Sequence, residues 1–224
     1  MKNCVIAIDG PAASGKSTIA KLIAERVGGI YINTGNMYRA VTLVFLRKGI
    51  DVDKADEAIF SKLLSDLSVT YVKKDKKQAV LMINDNPANL GEIRSHEVSK
   101  HVSAVSKSRV VREAMVSEQR KLRRLGTIIM EGRDIGTHVF PDAQFKFFLT
   151  ASPEVRARRR LGQSEENTCD ATVASIAKEI EERDKIDSQR EIAPLKQAAD
   201  AIFIDSSNMN INEVVNAIER YLIR

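Results

Sequence analysis

GPAASGKS, Gly10 to Ser17, stands between the almost unbroken apolar run Cys4 to Ile8 and a stretch of helical periodicity that begins near Lys16. The octapeptide fits G-x-x-x-x-G-K-[ST], a phosphate-binding loop, and the strand and helix such a loop needs flank it in the required order. Gly10 and Gly15 permit tight turns that aim successive backbone N–H groups inward at phosphate oxygens, reinforced by the positive end of the following helix. The pattern predicts a nucleoside triphosphate held by Gly10, Pro11, Ala12, Ala13, Ser14, Gly15, Lys16, Ser17 and Thr18. Lys16 should reach the terminal phosphates, and the Ser17 hydroxyl should ligate magnesium.

Beyond the loop, Ile19, Ala20, Ile23 and Val27 repeat at helical spacing, and Gly28-Gly29 supplies the stop. Ile30 to Ile32 reads as a second strand, followed by a helix through Tyr38, Val41, Phe45 and Lys48. After a helical stretch with Ile59, Leu63 and Leu64, the runs Leu67 to Val72 and Ala79 to Asn84 flank a polar turn and suggest a hairpin, with Asn86 to Leu90 as a candidate third strand; a loop with a surface flap fits the same residues. Ile93 to Lys107 and Ser108 to Leu125 predict two helices. The second ends in Arg120, Lys121, Arg123 and Arg124, a solvated cationic end that complements the helix dipole. Thr127 to Met130, Gln144 to Leu149 and Ala201 to Asp205 are the remaining strands, and Val214, Val215, Ile218 and Leu222 mark a closing helix. Strands alternating with helices require right-handed crossovers, hence a parallel sheet covered on both faces.

Two helices carry charge in unusual places. Ser152-Pro153 opens one, with Arg156, Arg159 and Arg160 at i, i+3 and i+4 before the polar stretch Gly162 to Asp170, a pattern that suits a lid and a solvated helix edge equally. The other starts at Asp170, where the apolar stripe Val173, Ile176 and Ile180 continues at the same spacing as Arg183, Asp187 and Arg190. Buried charge is costly unless paired or bound, so this helix should leave the core and enter a polar cleft; the plainer alternative is an Arg183–Asp187 surface pair.

With 224 residues, one core with a modest appendage is expected. Hydrophobic residues at 43% and charged residues at 29% fit a globular chain, and no apolar run is long enough to span a membrane. A strand begins directly after Met1-Lys2-Asn3, with no signal-peptide pattern, so a cytoplasmic location is expected. Cys4 and Cys169 form no CxxC, in keeping with a reducing compartment. The net charge of +5 could serve nucleic acid or anionic small molecules. The absence of Trp and 5% aromatics leave no stacking platform, which argues against nucleic acid. Arg39, Arg133, Arg156, Arg160, Arg183 and Arg190 are spread over separate segments, as bringing a triphosphate beside a second phosphorylated molecule would demand. His96, His101 and His138 are isolated and read as structural or surface groups.

The chain resembles the bacterial cytidylate kinases, within the nucleoside monophosphate kinase group. The resemblance is carried in order by IDGPAASGKST, NTGNMYR at Asn33 to Arg39, EIRSHEV at Glu92 to Val98, EGRDIGTHVFPDA at Glu131 to Ala143, RARRR at Arg156 to Arg160, and ERDKIDSQREIAPL at Glu182 to Leu195. It implies a three-layer α/β P-loop kinase fold with a five-stranded parallel sheet, a small antiparallel β insert and a helical lid. The implied partition is a core of about 1–35, 108–155 and 191–224, a monophosphate-binding region of 36–107, and a lid of 156–190. The implied reaction moves the γ-phosphoryl of ATP, as MgATP, to CMP or dCMP, in a monomer. Lys16, Arg133, Arg156, Arg160 and Arg183 would be catalytic. Thr34, Arg39 and Arg133 would hold the acceptor phosphate, Ser103, Arg112 and Asp134 would read the base, and Arg183, Asp187 and Arg190 would contact sugar and phosphate. One departure stands out: Glu131 replaces the Asp the family often has in a DGRD motif, and its extra methylene shifts the carboxylate, leaving it a weak role. A kinase for UMP, AMP or a non-nucleotide acceptor is the rival enzyme reading. A nucleotide switch is the rival of another class, and the chain has no N-K-x-D guanine-recognition sequence.

Overall fold

The computed structural model describes residues 3–162 and 172–222. β1 (Val5–Asp9) is buried throughout its length, as a central parallel strand must be, and leads through the glycine-rich loop into α1 (Lys16–Val27). β2 (Ile30–Asn33) and α2 (Thr34–Arg47) follow, then α3 (Glu57–Leu64), β3 (Val69–Lys73), β4 (Ala79–Ile83), β5 (Asn86–Pro87), α4 (Leu90–Ile93), α5 (His96–Lys107) and α6 (Arg109–Lys121). The chain returns to the main sheet with β6 (Ile128–Gly132) and β7 (Phe145–Thr150), passes through α7 (Pro153–Leu161) and α8 (Val173–Gln189), and finishes with β8 (Ile202–Asp205) and α9 (Ile211–Leu222).

The main sheet has the order β2-β6-β1-β7-β8, all parallel. Alternation along β1 divides the core into two layers. Val5 and Ala7 face one cluster with Met37, Val41 and Phe45 of α2 and Val111 and Met115 of α6. Ile6 and Ile8 face the other, with Ile19 and Ile23 of α1 and Val214, Val215 and Ile218 of α9. Since β2 lies on one side of β1 beyond β6 and β7 lies on the other, the crossovers diverge at the carboxyl end of β1, the place where a crevice opens in a sheet of this kind.

β3, β4 and β5 form the expected antiparallel appendage. Val69, Tyr71 and Leu81 bury against the main core, and the Tyr71 hydroxyl donates to the Asn33 carbonyl at 3.1 Å, which fastens the appendage beside the start of α2.

Several boundaries differ from the sequence expectations, each for a local reason. The predicted third strand ends at Pro87, because Asn89 accepts from the Gly91 and Glu92 N–H groups and starts α4 instead. The single helix expected from Ile93 is interrupted at Arg94, where Ser95 caps α5 by accepting from Val98 N–H. The helix expected to reach Leu125 ends at Lys121 and tightens into a 3-10 turn, Leu122–Leu125. α8 begins at Val173 behind a reciprocal cap of Thr172 and Ser175, whereas the stretch 163–171, including the expected start at Asp170, lies outside the described residues. The cationic end of α6 is tied down rather than simply solvated: Arg120 donates to the carbonyls of His138 and Val139, and Arg123 pairs with Asp142. Among the described residues no helix is long and apolar enough to cross a membrane.

Candidate functional site

At the carboxyl ends of β1, β2 and β6 lies a cavity of about 680 Å³ lined by the loop residues Ala12 to Thr18. Gly10 has φ 151°, and a Cβ there would lie 2.0 Å from the Leu149 carbonyl oxygen, so only glycine lets the loop leave β1 so close to β7. Gly15, at φ 90°, caps α1 and turns the chain so that the free N–H groups of its first turn face the cavity. Gly10 and Pro11 form the back of the loop and do not line the cavity. Lys16 lies over its own loop, its Nζ donating to the Pro11 carbonyl at 2.6 Å and to Ser14 Oγ at 3.2 Å. Burial, with the Arg133 charge adding to it, lowers its pKa to about 7.

Beside the loop, α2, α6, β6 and α8 contribute an alternating chain of charge. Arg112, fully buried, places Nη2 2.5 Å from Asp134 Oδ2. Arg190 reaches Asp134 Oδ1 at 3.3 Å and Asp187 Oδ1 at 3.9 Å, and Arg133 Nε donates to Asp187 Oδ2 at 2.9 Å. These three cations against two carboxylates leave an excess of positive charge. Arg39 adds to it, held by its bond to Ser99 Oγ at 2.6 Å, as do Arg160 and Arg183, which also line the cavity. Burial first, and then the neighbouring Arg39 and Arg133 charges, lower the Arg183 pKa to about 9. Its buried Nε has no hydrogen-bond partner among the described residues. A desolvated guanidinium among like charges is stabilised by an arriving polyanion, and this is the site's main chemical capacity. Asp187 is held below the usual carboxylate range by Arg133, Arg183 and Arg190 against the opposing effect of burial.

Thr34 is buried at the head of α2 and donates to the Glu131 carbonyl at 2.8 Å. Glu131, also buried, faces the cavity and accepts from the Tyr31 hydroxyl at 2.5 Å and Asn33 Nδ2 at 2.8 Å. Asp134 owes its placement to Asp9. The Asp9 carboxylate accepts the Ile135 and Gly136 N–H groups at 2.8 and 2.7 Å, pinning the π-helical turn Ile135–Val139 that follows Asp134. Burial raises the Asp9 carboxyl to about 7 against those two donors.

The polar-cleft expectation for α8 agrees with this geometry: Arg183, Asp187 and Arg190 all line the cavity with Arg39, Arg133, Asp134, Arg112 and Thr34. Besides Gly10 and Pro11, two expected site residues do not. Val102 and Ser106, one helical turn apart on α5, face the cavity, and Ser103, about 100° round the helix from Val102, is not among the lining residues. Arg156 is buried behind the loop, paired with Asp184, and does not line the cavity; Arg159 and Arg160 do. Sequence reasoning missed a further wall formed by Arg159, Ser206, Met209, Ile211 and Val214. Arg159 fixes this wall by donating to Ser206 Oγ at 3.0 Å and to the Ser206 carbonyl at 2.9 Å. Arg94 of the EIRSHEV stretch also lines the cavity.

A family model described as cytidylate kinase matches residues 6–224. The chain belongs to the cytidylate kinase family. A cytidylate kinase of Bacillus pumilus (strain SAFR-032) is 47% identical over 217 residues, covering 97% of this chain and 95% of its own. One from Geobacillus sp. (strain WCH70) is 46% identical over 216 residues, covering 96% and 95%. Among solved structures, a shikimate kinase from Bacteroides thetaiotaomicron covers 100% of both chains with a TM-score of 0.51 at 12% identity, a likeness of fold alone. The five-stranded parallel sheet with its glycine-rich loop is thus a P-loop kinase architecture.

Proposed function

We infer that this member of the family is an ATP-dependent kinase that moves the γ-phosphoryl group of ATP to CMP or dCMP, giving ADP and the corresponding diphosphate. The observation that carries the reading is the charge chain Arg112–Asp134–Arg190–Asp187–Arg133 set beside the phosphate loop in one cavity. A phosphate loop alone accommodates one polyanion. The additional guanidinium groups give a second one a place end to end with it.

In this reading the triphosphate lies along the loop and the N-terminus of α1, with Lys16 exchanging its bonds to Pro11 and Ser14 for phosphate oxygens. Its base and sugar occupy the partly apolar wall of Met209, Ile211 and Val214 under Arg159. The acceptor phosphate is held by Arg39, Arg133 and Thr34, and the sugar faces Arg183, Asp187 and Arg190. Cytosine offers an amino donor beside a ring-nitrogen acceptor and is matched by a carboxylate beside a cation, Asp134 and Arg112; uracil would turn an oxygen toward Asp134. The acceptor oxygen is already an anion, so no general base is required. Rate comes from in-line alignment, from Arg133, Arg160, Arg183 and Lys16 neutralising charge on the transferring group, and from exclusion of water.

A magnesium ion fits the donor set. The Ser17 hydroxyl and the Glu131 carboxylate both face the cavity, and the described residues hold no group of three His, Cys, Asp or Glu that would form a cage by themselves. That composition suits a cation held by one or two protein oxygens and the substrate's phosphates. When bound, it would neutralise negative charge on the donor's phosphates. The enzyme would act as a cytoplasmic monomer on free nucleotides, with no nucleic-acid or membrane partner.

The test is ADP release measured across CMP, dCMP, UMP and AMP. CMP and dCMP should be phosphorylated with kcat/KM at least about tenfold above UMP and AMP, the discrimination expected of one mismatched polar contact. Equal use of all four would remove the base-reading assignment, and no ADP release with any would remove the kinase reading.

A further inference from the structure

The phosphate loop is gripped from behind by two side chains that do not line the cavity. Asp184 Oδ1 accepts the Ala12 N–H at 2.9 Å, and its other oxygen pairs with the Arg156 guanidinium. The same guanidinium donates to the Ala12 carbonyl at 3.1 Å, and Arg156 Nε donates to the Ala151 carbonyl at 3.0 Å. Both polar backbone groups of one loop residue are therefore held by a single ion pair. The pair is mostly buried, its side chains 9% and 18% exposed. The same two helices and the loop also share an apolar cluster: Ala12, Ala157, Ile176 and Ile180, with Ala13, Val173 and Ala177 packed against it. In such surroundings a hydrogen-bonded pair keeps its geometry, and removing one partner strands the other.

Three consequences meet at Ala12. Its N–H is committed to Asp184, so anion contacts fall to the later N–H groups of the loop. Their direction depends on how the Ala12 peptide is held, because the next residue, Ala13, takes the left-handed conformation at φ 57°, which a residue with a Cβ resists unless its neighbours impose it. Second, a carboxylate this close to a triphosphate site would repel the ligand were it not neutralised by Arg156. Third, Asp184 belongs to α8, next to Arg183 and one turn before Asp187, and Arg156 belongs to α7 with Arg159 and Arg160. One ion pair thus joins the loop to two of the helices that bring arginines into the cavity.

We propose that Asp184, neutralised by Arg156, is a positioning residue for the donor nucleotide: it fixes the phosphate loop at Ala12 in the shape that receives the triphosphate and holds α7, with Arg159 and Arg160, against it. The proposal rests on the reading of ATP as donor. Nothing in the sequence pattern of the loop assigns Asp184 this part, and its effect is on one substrate, since Arg39, Arg112 and Asp134 are held by other partners.

The experiment measures ATP and CMP binding separately, by calorimetry, in the wild type, Asp184→Asn, Arg156→Gln and the double variant, with thermal melts to confirm folding. Asp184→Asn should weaken ATP about tenfold or more, as loss of a charged hydrogen-bond partner does, while CMP stays within about twofold. The double variant should bind ATP no more weakly than Asp184→Asn alone, because both substitutions break one unit. A folded Asp184→Asn that keeps wild-type ATP affinity overturns the proposal. So do equal losses for ATP and CMP, which mark a general structural bolt, and multiplicative losses in the double variant. If Asp184→Asn does not fold, Arg156→Lys, which keeps the charge and loses the second bond, is judged by the same ATP-against-CMP comparison. A wild type that binds ATP but does not phosphorylate CMP overturns the functional reading and leaves this result intact.

Discussion

Lys16 carries the clearest single-residue consequence. Its folded pKa of about 7 lies below the ordinary 10.5, so between those values the unfolded chain holds a proton that the empty folded protein does not. In that window the unfolded state binds more protons, and stability rises with pH as far as Lys16 is concerned. A bound triphosphate reverses the balance by restoring the ammonium. ATP binding at pH 8 should therefore take up protons, seen as a dependence of the calorimetric heat on buffer ionisation enthalpy; Lys16→Ala should lose most of that uptake and nearly all turnover while remaining folded. Buffer-independent heats in the wild type would contradict the assignment. In the proposed function base choice turns on Asp134, yet truncating it would strand Arg112 and Arg190 in the interior, at about 3–5 kcal/mol. Asp134→Asn is the cleaner change, since the amide keeps one acceptor for the buried arginines. It should lower kcat/KM for CMP at least about tenfold more than for UMP, and equal losses would remove Asp134 from base reading.

At the scale of elements, the loop between β1 and α1 is the most sharply constrained piece. Gly10→Ala would drive a methyl group into the Leu149 carbonyl at 2.0 Å, backbone against backbone, with no side chain to give way. A loss of about 3 kcal/mol or more in urea unfolding is expected, and a midpoint near that of the wild type would contradict the packing of β1 on β7 described above. This loop was legible in the sequence because its geometry is local: glycines, lysine and serine at fixed spacing, after a strand and before a helix. The charged stripe of α8 was legible for a similar reason, since its helical phase continues from Ile176 and Ile180 to Arg183 and Asp187. Phase also explains one misplacement: Ser103 sits on the right helix but about 100° round it from the cavity-lining Val102. Arg156 shares a face with Arg160 and is kept out of the cavity by its partners instead, Asp184 and the carbonyls of Ala12 and Ala151. The ion pairs themselves were not legible, because Arg112–Asp134 and Arg133–Asp187 join segments 22 and 54 residues apart, and only the fold decides which carboxylate meets which guanidinium. The wall at Ser206 to Val214 carries no motif, being shaped mainly by small and apolar side chains and the loop's own backbone.

Over the whole molecule, a sheet that buries two apolar layers opens at one end into a single cavity where guanidinium groups outnumber carboxylates. Arg183, desolvated among like charges, is costly while the cavity is empty, and in the proposed function phosphate arriving from both nucleotides relieves that cost. Binding should thus be strongly cooperative across the two nucleotide positions and should weaken with added salt, since partly exposed cations are screened more than buried ones. The most direct measurement is calorimetry with a bisubstrate compound in which adenosine and cytidine are joined through their 5′ oxygens by a chain of five phosphates. The structure predicts one molecule bound per chain, at least about a hundredfold tighter than ATP alone, because the second site is filled without a second association cost. A stoichiometry of two, or an affinity no better than that of ATP, would show that the phosphate loop and the arginine cluster do not form one site.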